Sequence, residues 1–113
     1  MAKRARRGHV VVLVTCGSRR EAGRIARSVV KGGLAACVNV LESPVHSLYR
    51  WKDKVEQARE YLLLMKTSRS RLDALRDEVE RLHSYDVPEF IALPIVSGLP
   101  TYLRWLDDSL RPR

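Results

Sequence analysis

A short segment in the last third of the sequence holds most of the side chains that could do chemistry. It contains an imidazole, a phenol and two carboxylates within seven residues, namely His83, Tyr85, Asp86 and Glu89. Pro88 fixes its own φ and forces the residue before it into an extended conformation, so the backbone there is restricted. Because binding groups concentrate on loops that rigid elements hold, this segment is the first candidate site.

The same segment also has a purely structural interpretation. His83 would then end a helix, where an imidazolium stabilises the negative end of the helix dipole, and Tyr85 would serve only as a packing residue. The residues of the segment alone leave both interpretations open.

Length and charge restrict the class of protein. A chain of 113 residues that is 45% hydrophobic fits one compact domain. Its net charge of +8 raises the question of nucleic acid, but four of the cations stand at residues 3–7, and without them the balance is +4. We predict a basic disordered tail over residues 1–8 and a single domain over residues 9–113. Since the other charges are mixed along the chain, no nucleic-acid partner is expected.

No segment is predicted to direct the chain into a membrane. The apolar run at residues 10–14 ends at polar Thr15, whereas a signal-peptide core needs roughly 7–15 apolar residues and a membrane span roughly 20. Two cysteines, Cys16 and Cys37, are too few for a disulfide framework and are expected to be free thiols in a reducing compartment. The sequence therefore predicts a cytoplasmic protein without a membrane partner.

Hydrophobic spacing predicts a strand and then a helix at the start of the domain. Residues 10–14 are β-branched and apolar on both faces, which is the pattern of a central strand. Ser18 and Glu21 form a capping box, in which the hydroxyl accepts from a backbone N–H and the carboxylate reaches back. The helix that begins there has one apolar stripe and is predicted to end at Gly32-Gly33.

The middle of the chain is predicted to form a long hairpin. Strands over residues 35–41 and 45–51 are interrupted at Pro44, which cannot donate to a sheet ladder. Lys52-Asp53 makes the turn, and residues 55–66 return as the partner strand.

A helix, a strand and a closing helix complete the domain. Ser70 with Asp73 predicts a helix start, residues 90–96 an edge strand that contains a proline, and Pro100 the first turn of the closing helix. The order β-α-β-β-α-β predicts an α+β ferredoxin-like fold, an antiparallel sheet with helices on one face and a C-terminal helix. Two helices cannot cover the long hairpin, so a further subunit is expected to pair with it.

Six short motifs are more informative together than any one of them is alone. They are Val11-Val12-Leu13-Val14-Thr15-Cys16, Leu34-Ala35-Ala36-Cys37-Val38-Asn39, Tyr49-Arg50-Trp51, Leu64-Met65-Lys66-Thr67, His83-Ser84-Tyr85-Asp86-Val87-Pro88-Glu89 and Tyr102-Leu103-Arg104-Trp105-Leu106. In order and spacing they resemble the CutA divalent-cation tolerance family over about residues 10–110. The resemblance implies a cytosolic homotrimer, associated with tolerance to copper and other divalent metals, and no established enzymatic reaction.

Four residues depart from the usual pattern of that family. Gly17 and Ser84 stand where proline is usual, Asp53 where the hairpin usually has glycine, and Leu99 where an asparagine usually caps the final helix. Ser84 removes a backbone restriction from the candidate segment, and Leu99 leaves the final helix without a side-chain cap.

The resemblance also implies a copper site, which by position falls on Cys16 and His83. A thiolate with an imidazole suits copper, which stands at the head of the Irving–Williams order. We expect Cys16, at the end of its strand, to be hydrated and reachable, and Cys37, inside an apolar strand, to belong to the core. Copper is the only cofactor expected, and no organic cofactor is predicted.

A second candidate cluster could bind a small anion. The topology is expected to bring Lys66, His83, Tyr85, Glu89 and Trp51 near strand ends and subunit boundaries. Lys66 would supply the charge, His83 a donor and the aromatic residues a stacking wall. The alternative is that Lys66 and Glu89 form an ion pair between subunits and that the aromatic residues are interface core.

The sequence lacks the local signatures of the common catalytic sites. It has no glycine-rich phosphate loop, no Cys-x-x-Cys pair, no His-Glu-x-x-His and no serine nucleophile elbow. Three classes of function remain: a metal-responsive trimeric binding protein, a small-ligand signalling trimer resembling the nitrogen-regulatory proteins, and a basic nucleic-acid binder. The resemblance favours the first, and a protein without enzymatic activity is expected.

Overall fold

Five strands and three helices make up residues 8–110, which are the part of the chain that the computed structural model describes. The strands are β1 (His9–Cys16), β2 (Cys37–Val40), β3 (Val45–Trp51), β4 (Lys54–Ser68) and β5 (Ile91–Ile95). The helices are α1 (Arg19–Lys31), α2 (Leu72–Leu82) and α3 (Pro100–Ser109), with a 3-10 turn at Arg69–Arg71 ahead of α2. The predicted basic tail lies outside the described residues except for Gly8. None of the helices within residues 8–110 has the length and apolar character needed to cross a membrane.

The strands form one antiparallel sheet in the order β2-β4-β1-β5, and β3 continues along β4 beyond the end of β2. β4 is 15 residues long, so it pairs with β2 through its second half and with β3 through its first half. The interruption predicted at Pro44 separates those two partners. This arrangement confirms the predicted ferredoxin-like α+β fold.

The main core lies between the sheet and the helices α1 and α2. Alternate residues of β1 point into it because side chains alternate across a strand, and the apolar stripe of α1 covers them. The buried residues of this core are Val10, Val12, Val14, Cys16, Ala22, Ile25, Val29, Ala35, Leu63, Met65, Leu75 and Val79. Two helices on one face of the sheet were predicted, and they are found there.

The opposite face of the sheet is apolar and only partly covered. In the register of the strands, Leu13 lies beside both Leu64 and Ile91, so these three side chains share that face. The helix α3 covers only one end of it, where Leu106 and Leu110 are buried against Ala36. On β5, Ile91 remains 48% exposed and Leu93 47% exposed. We call this surface, formed by Val11, Leu13, Leu62, Leu64, Ile91 and Leu93, the open face.

Two predicted helix caps differ from those in the structure. The hydroxyl of Ser18 accepts from the N–H of Glu21 at 3.1 Å, which confirms half of the capping box. The carboxylate of Glu21 accepts from the N–H of Ser84 instead of reaching back to Ser18. Ser70 caps nothing, because its hydroxyl lies 2.7 Å from that of Ser68 and a 3-10 turn precedes α2.

The hairpin turn is formed as predicted, and it is strained. Lys52 has a φ of 50° and Asp53 a φ of 65°. Both values fall in the left-handed region that favours glycine, as a two-residue type I′ hairpin requires. The turn therefore depends on the long pairing of β3 with β4 to hold it.

Candidate metal centre

Three elements meet at the end of β1 and bring a thiol, a carboxylate and an imidazole together. Cys16 is the last residue of β1, Glu21 lies in the first turn of α1, and His83 directly follows α2. One ligand atom from each of the three lies within 4.8 Å of the others. The predicted pair of Cys16 and His83 is thus adjacent in space, and Glu21 is a third candidate ligand that sequence reasoning assigned to capping.

Both ring nitrogens of His83 are hydrogen-bonded. The N–H of Tyr85 donates to Nδ1 at 3.1 Å, so Nδ1 carries the lone pair and Nε2 carries the proton. Nε2 lies 2.7 Å from the carbonyl oxygen of Thr15, to which it donates. These two bonds fix the ring, which is 9% exposed. They make His83 a structural link between α2 and β1, which is a contact that the sequence did not predict.

Cys16 does not have the hydrated thiol that the sequence led us to expect. Its side chain is fully buried, at 0% exposure. Burial, and then the nearby carboxylates of Glu21 and Glu60, raise the pKa of Cys16 to about 12. The expectation was wrong because the end of a strand is not always exposed to solvent, and here α1 covers Cys16.

Cys37 differs from its prediction in the opposite direction. It is only half-buried, and its backbone pairs with Lys66 on β4. Because side chains alternate along β2, Val38 packs into the main core while Cys37 points to the open face. The predicted core role for Cys37 is therefore wrong.

Further carboxylates lie near the cluster, and within residues 8–110 neither Glu60 nor Glu89 forms an ion pair. Glu60 is 7% exposed and accepts from the hydroxyl of Tyr85 at 2.9 Å. Burial and this contact with Glu60 raise the pKa of Tyr85 well above its usual value. Burial, and then Glu60, also raise the pKa of Glu89. The site is a concentration of negative charge that would favour a cation.

Gly17 makes room for this hydrogen-bond network. A Cβ at position 17 would lie 3.1 Å from the hydroxyl oxygen of Tyr85. The side chain of Tyr85 thus fills the space next to Gly17, with its ring centre 4.7 Å from that of His83.

The structure does not bring all of the predicted anion-binding residues together. Tyr85 contacts both His83 and Glu60, so these three residues lie near the position of Glu60 on β4. Lys66 lies six residues further along that strand, and Trp51 pairs with Lys54 six residues before Glu60. At about 3.3 Å per residue, each is roughly 20 Å from Glu60 along the strand. Lys66 and Trp51 therefore do not join Tyr85 and Glu60 in one site within the chain.

The donors at Cys16, Glu21 and His83 fit a metal of copper type, with two changes. Nδ1 of His83 has its lone pair in place, and a metal ion bound at Nδ1 would displace only the N–H of Tyr85. The bond from Nε2 to Thr15 would remain and orient the ring, as such bonds do around ligating histidines. The thiol of Cys16 would have to lose its proton to become a ligand.

Fold and donors together define a class of protein, a ferredoxin-like domain with a thiol, carboxylate and imidazole cluster at one end of its sheet. Residues 10–109 match the CutA1 divalent ion tolerance protein family. The chain belongs to this family, which is described by metal tolerance and not by a reaction.

Relatives and solved structures agree with that assignment. The chain is 38% identical to the divalent-cation tolerance protein CutA of Archaeoglobus fulgidus, over 90% of this chain and 98% of that one. It is 45% identical to the chloroplastic protein CutA of Arabidopsis thaliana over 90% of its own length, but it spans only 56% of that relative. The crystal structure of CutA1 from Oryza sativa matches with a TM-score of 0.89 and 44% identity, over 95% of this chain and 97% of that one.

Proposed function

We propose that this protein acts in divalent-metal tolerance by binding copper at Cys16, Glu21 and His83, as a homotrimer in the cytoplasm. The observation that carries the proposal is the convergence of three ligand types from three different elements within 4.8 Å. Membership of a family named for divalent ion tolerance also supports the proposal. The protein would bind the metal and catalyse no reaction.

Copper is favoured by the kinds of atom in the cluster. A thiolate sulfur and an imidazole nitrogen prefer copper over magnesium or calcium, which take oxygen ligands. Glu60 and Glu89 add negative charge that would hold a cation without binding it directly. Zinc has the same ligand preferences, and copper is preferred to it in the general affinity order.

The homotrimer is supported by the open face and by the hairpin of β3 and β4. Monomeric proteins rarely leave a continuous apolar surface of this kind exposed. The hairpin carries further exposed apolar residues, Leu48, Tyr49, Trp51 and Val55. In the proposed assembly each hairpin extends the sheet of a neighbour, which covers its apolar residues and the open face together.

A cytoplasmic location is supported by the state of the cysteines. Cys16 and Cys37 are both free thiols, and a reducing compartment keeps them so. Some relatives carry other locations in their names, such as the chloroplastic Arabidopsis protein and the periplasmic protein of Archaeoglobus fulgidus.

Competitive copper titration tests the site. The variants Cys16→Ser, Glu21→Gln and His83→Asn should each weaken copper binding by about 10-fold or more, as loss of a ligand or of its support does elsewhere. The controls Cys37→Ser and His46→Asn remove the same chemical groups outside the cluster and should bind as the unmodified protein does.

Equal affinity for the three cluster variants and the unmodified protein would overturn the copper site. The small-ligand alternative would then be the remaining function, with Tyr85 and Glu89 from one subunit and Lys66 and Trp51 from another.

A further inference from the structure

The outer face of α1 carries a stripe of four cations. Their spacing of four, three and four residues places them on one side of the helix. Buried Ala22, Ile25 and Val29 lie on the opposite side. The stripe therefore points away from the sheet, into solvent. Its members, which we call the basic stripe, are Arg20, Arg24, Arg27 and Lys31.

The charges of the basic stripe are not neutralised by neighbouring carboxylates. Within residues 8–110, no ion pair involves any member of the stripe. Glu21 is the one acidic residue of α1, and its carboxylate accepts from the N–H of Ser84. Arg24 donates to the carbonyl oxygen of Leu82 at 2.9 Å, which restricts its side chain while leaving its charge unpaired.

The arginines of the neighbouring helix α2, in contrast, form ion pairs with carboxylates. Arg76 lies within ion-pair distance of Asp73 and Asp77, and Arg81 binds the carboxylate of Glu78 through two bonds of 2.8 Å. The arginines of α2 form an ordinary mixed surface, whereas those of α1 form a surface of one sign. The charges of α1 are not scattered as the sequence led us to expect, because residues separated along the chain share one helix face.

The length and composition of the basic stripe indicate its partner. From Arg20 to Lys31 it spans about 16 Å, enough to contact several phosphates of a nucleic-acid backbone. The helix α1 has no aromatic residue on which an unpaired base could stack. The stripe also lacks the apolar side chains that an interfacial helix inserts into a membrane. A double-stranded nucleic acid, contacted through its phosphates, fits these features best.

From these observations we infer that the basic stripe binds the phosphate backbone of duplex nucleic acid without reading its bases. The inference is independent of the copper site. It does not require the subunits to separate, since the proposed assembly uses the open face and the hairpin, on the other side of the sheet.

Fluorescence anisotropy with a short DNA duplex and a short RNA duplex tests the inference on the full chain. The double variant Arg20→Gln/Arg27→Gln should lower the affinity about tenfold or more near 100 mM salt. It should also reduce the slope of log affinity against log salt by about 2, since each lost phosphate contact removes about 0.9. The control Arg76→Gln/Arg81→Gln removes the same charge from α2 and should change the affinity less than about twofold by the same reasoning.

Two results would overturn the inference. An equal loss in both double variants would show that only net charge matters, and unchanged binding in the stripe variant would show that the stripe makes no contact. Vesicles containing phosphatidylglycerol serve as the second probe. Vesicle binding that depends on the stripe, with duplex binding that does not, would identify a lipid surface as the partner and exclude the duplex.

Discussion

The buried thiol of Cys16 contributes to the response of the protein to alkaline pH. Its pKa is about 12 in the fold and 9.0 for a free thiol, so the unfolded chain loses this proton first as the pH rises. The contribution to stability is therefore complete below pH 9.0 and is lost between 9.0 and about 12. A single proton gives a slope of at most about 1.4 kcal/mol per pH unit.

Urea unfolding at several pH values measures this effect. Between pH 9 and 10.5, on the order of the range above, the unmodified protein should lose more stability than Cys16→Val. The control Cys37→Val should behave as the unmodified protein does. Parallel stability curves for the unmodified protein and Cys16→Val would show that the thiol ionises equally in both states.

The hydroxyl of Tyr85 satisfies the buried carboxylate of Glu60. Tyr85→Phe removes that donor and leaves Glu60 buried without this hydrogen bond, which should lower the free energy of unfolding by about 1–3 kcal/mol. Chemical denaturation measures the loss. The matched control is Tyr102→Phe at an exposed tyrosine, which should change the free energy of unfolding little. An unchanged free energy of unfolding for Tyr85→Phe would mean that Glu60 finds another donor.

The residues of the site show where sequence reasoning was sufficient. The resemblance to a known family indicated Cys16 and His83, and the fold brings them together. Glu21 was assigned to a capping box because its spacing from Ser18 fits one. Its carboxylate instead meets Ser84, which is 63 residues away along the chain. Local spacing carries no information on such a contact.

At the scale of the elements, hydrophobic patterns located every strand and helix, because burial of one face produces a regular period. The helix ends were less accurate. Ser70 was expected to cap α2, but its hydroxyl is engaged by Ser68 and a 3-10 turn comes first. Competing hydroxyl contacts of this kind cannot be distinguished from caps by spacing alone.

The start of α3 is a weak point that the sequence did reveal. Leu99 occupies the N-cap position with extended backbone angles and makes no side-chain cap. Leu99→Asn should supply an acceptor for an unpaired N–H of the first turn and raise the stability by about 1 kcal/mol. Thermal unfolding measures the gain, with Leu99→Ala as the control for loss of the apolar side chain. No gain relative to Leu99→Ala would mean that the first turn of α3 is already satisfied by solvent.

At the scale of the whole molecule, the proposed trimer follows from what one subunit leaves uncovered. Trp51 on the hairpin and Val30 on α1 have almost the same exposure, 42% and 43%, but lie on different surfaces. Trp51→Asp should dissociate the trimer, because it places an unpaired charge in an apolar contact, whereas Val30→Asp should leave it assembled. Sedimentation equilibrium measures the oligomeric state of each protein. If the unmodified protein were a monomer at micromolar concentration, the proposed assembly would be contradicted.

The pattern of the chain led us to expect a partner subunit, but it did not predict the separation of the two candidate sites. The apolar residues of the long hairpin led us to expect an uncovered edge. Lys66 lies six residues from Glu60 on β4, a distance of roughly 20 Å along the strand. The sequence placed Lys66 and Tyr85 in one cluster, and only the contact of Tyr85 with Glu60 shows that the two lie far apart.

X-ray absorption at the copper edge, measured on the loaded and assembled protein, tests the central claim most directly. We expect one sulfur ligand together with imidazole, with the sulfur lost in Cys16→Ser and retained in Cys37→Ser. A spectrum with nitrogen and oxygen ligands alone, or a sulfur signal that disappears only in Cys37→Ser, would contradict copper binding at the end of β1.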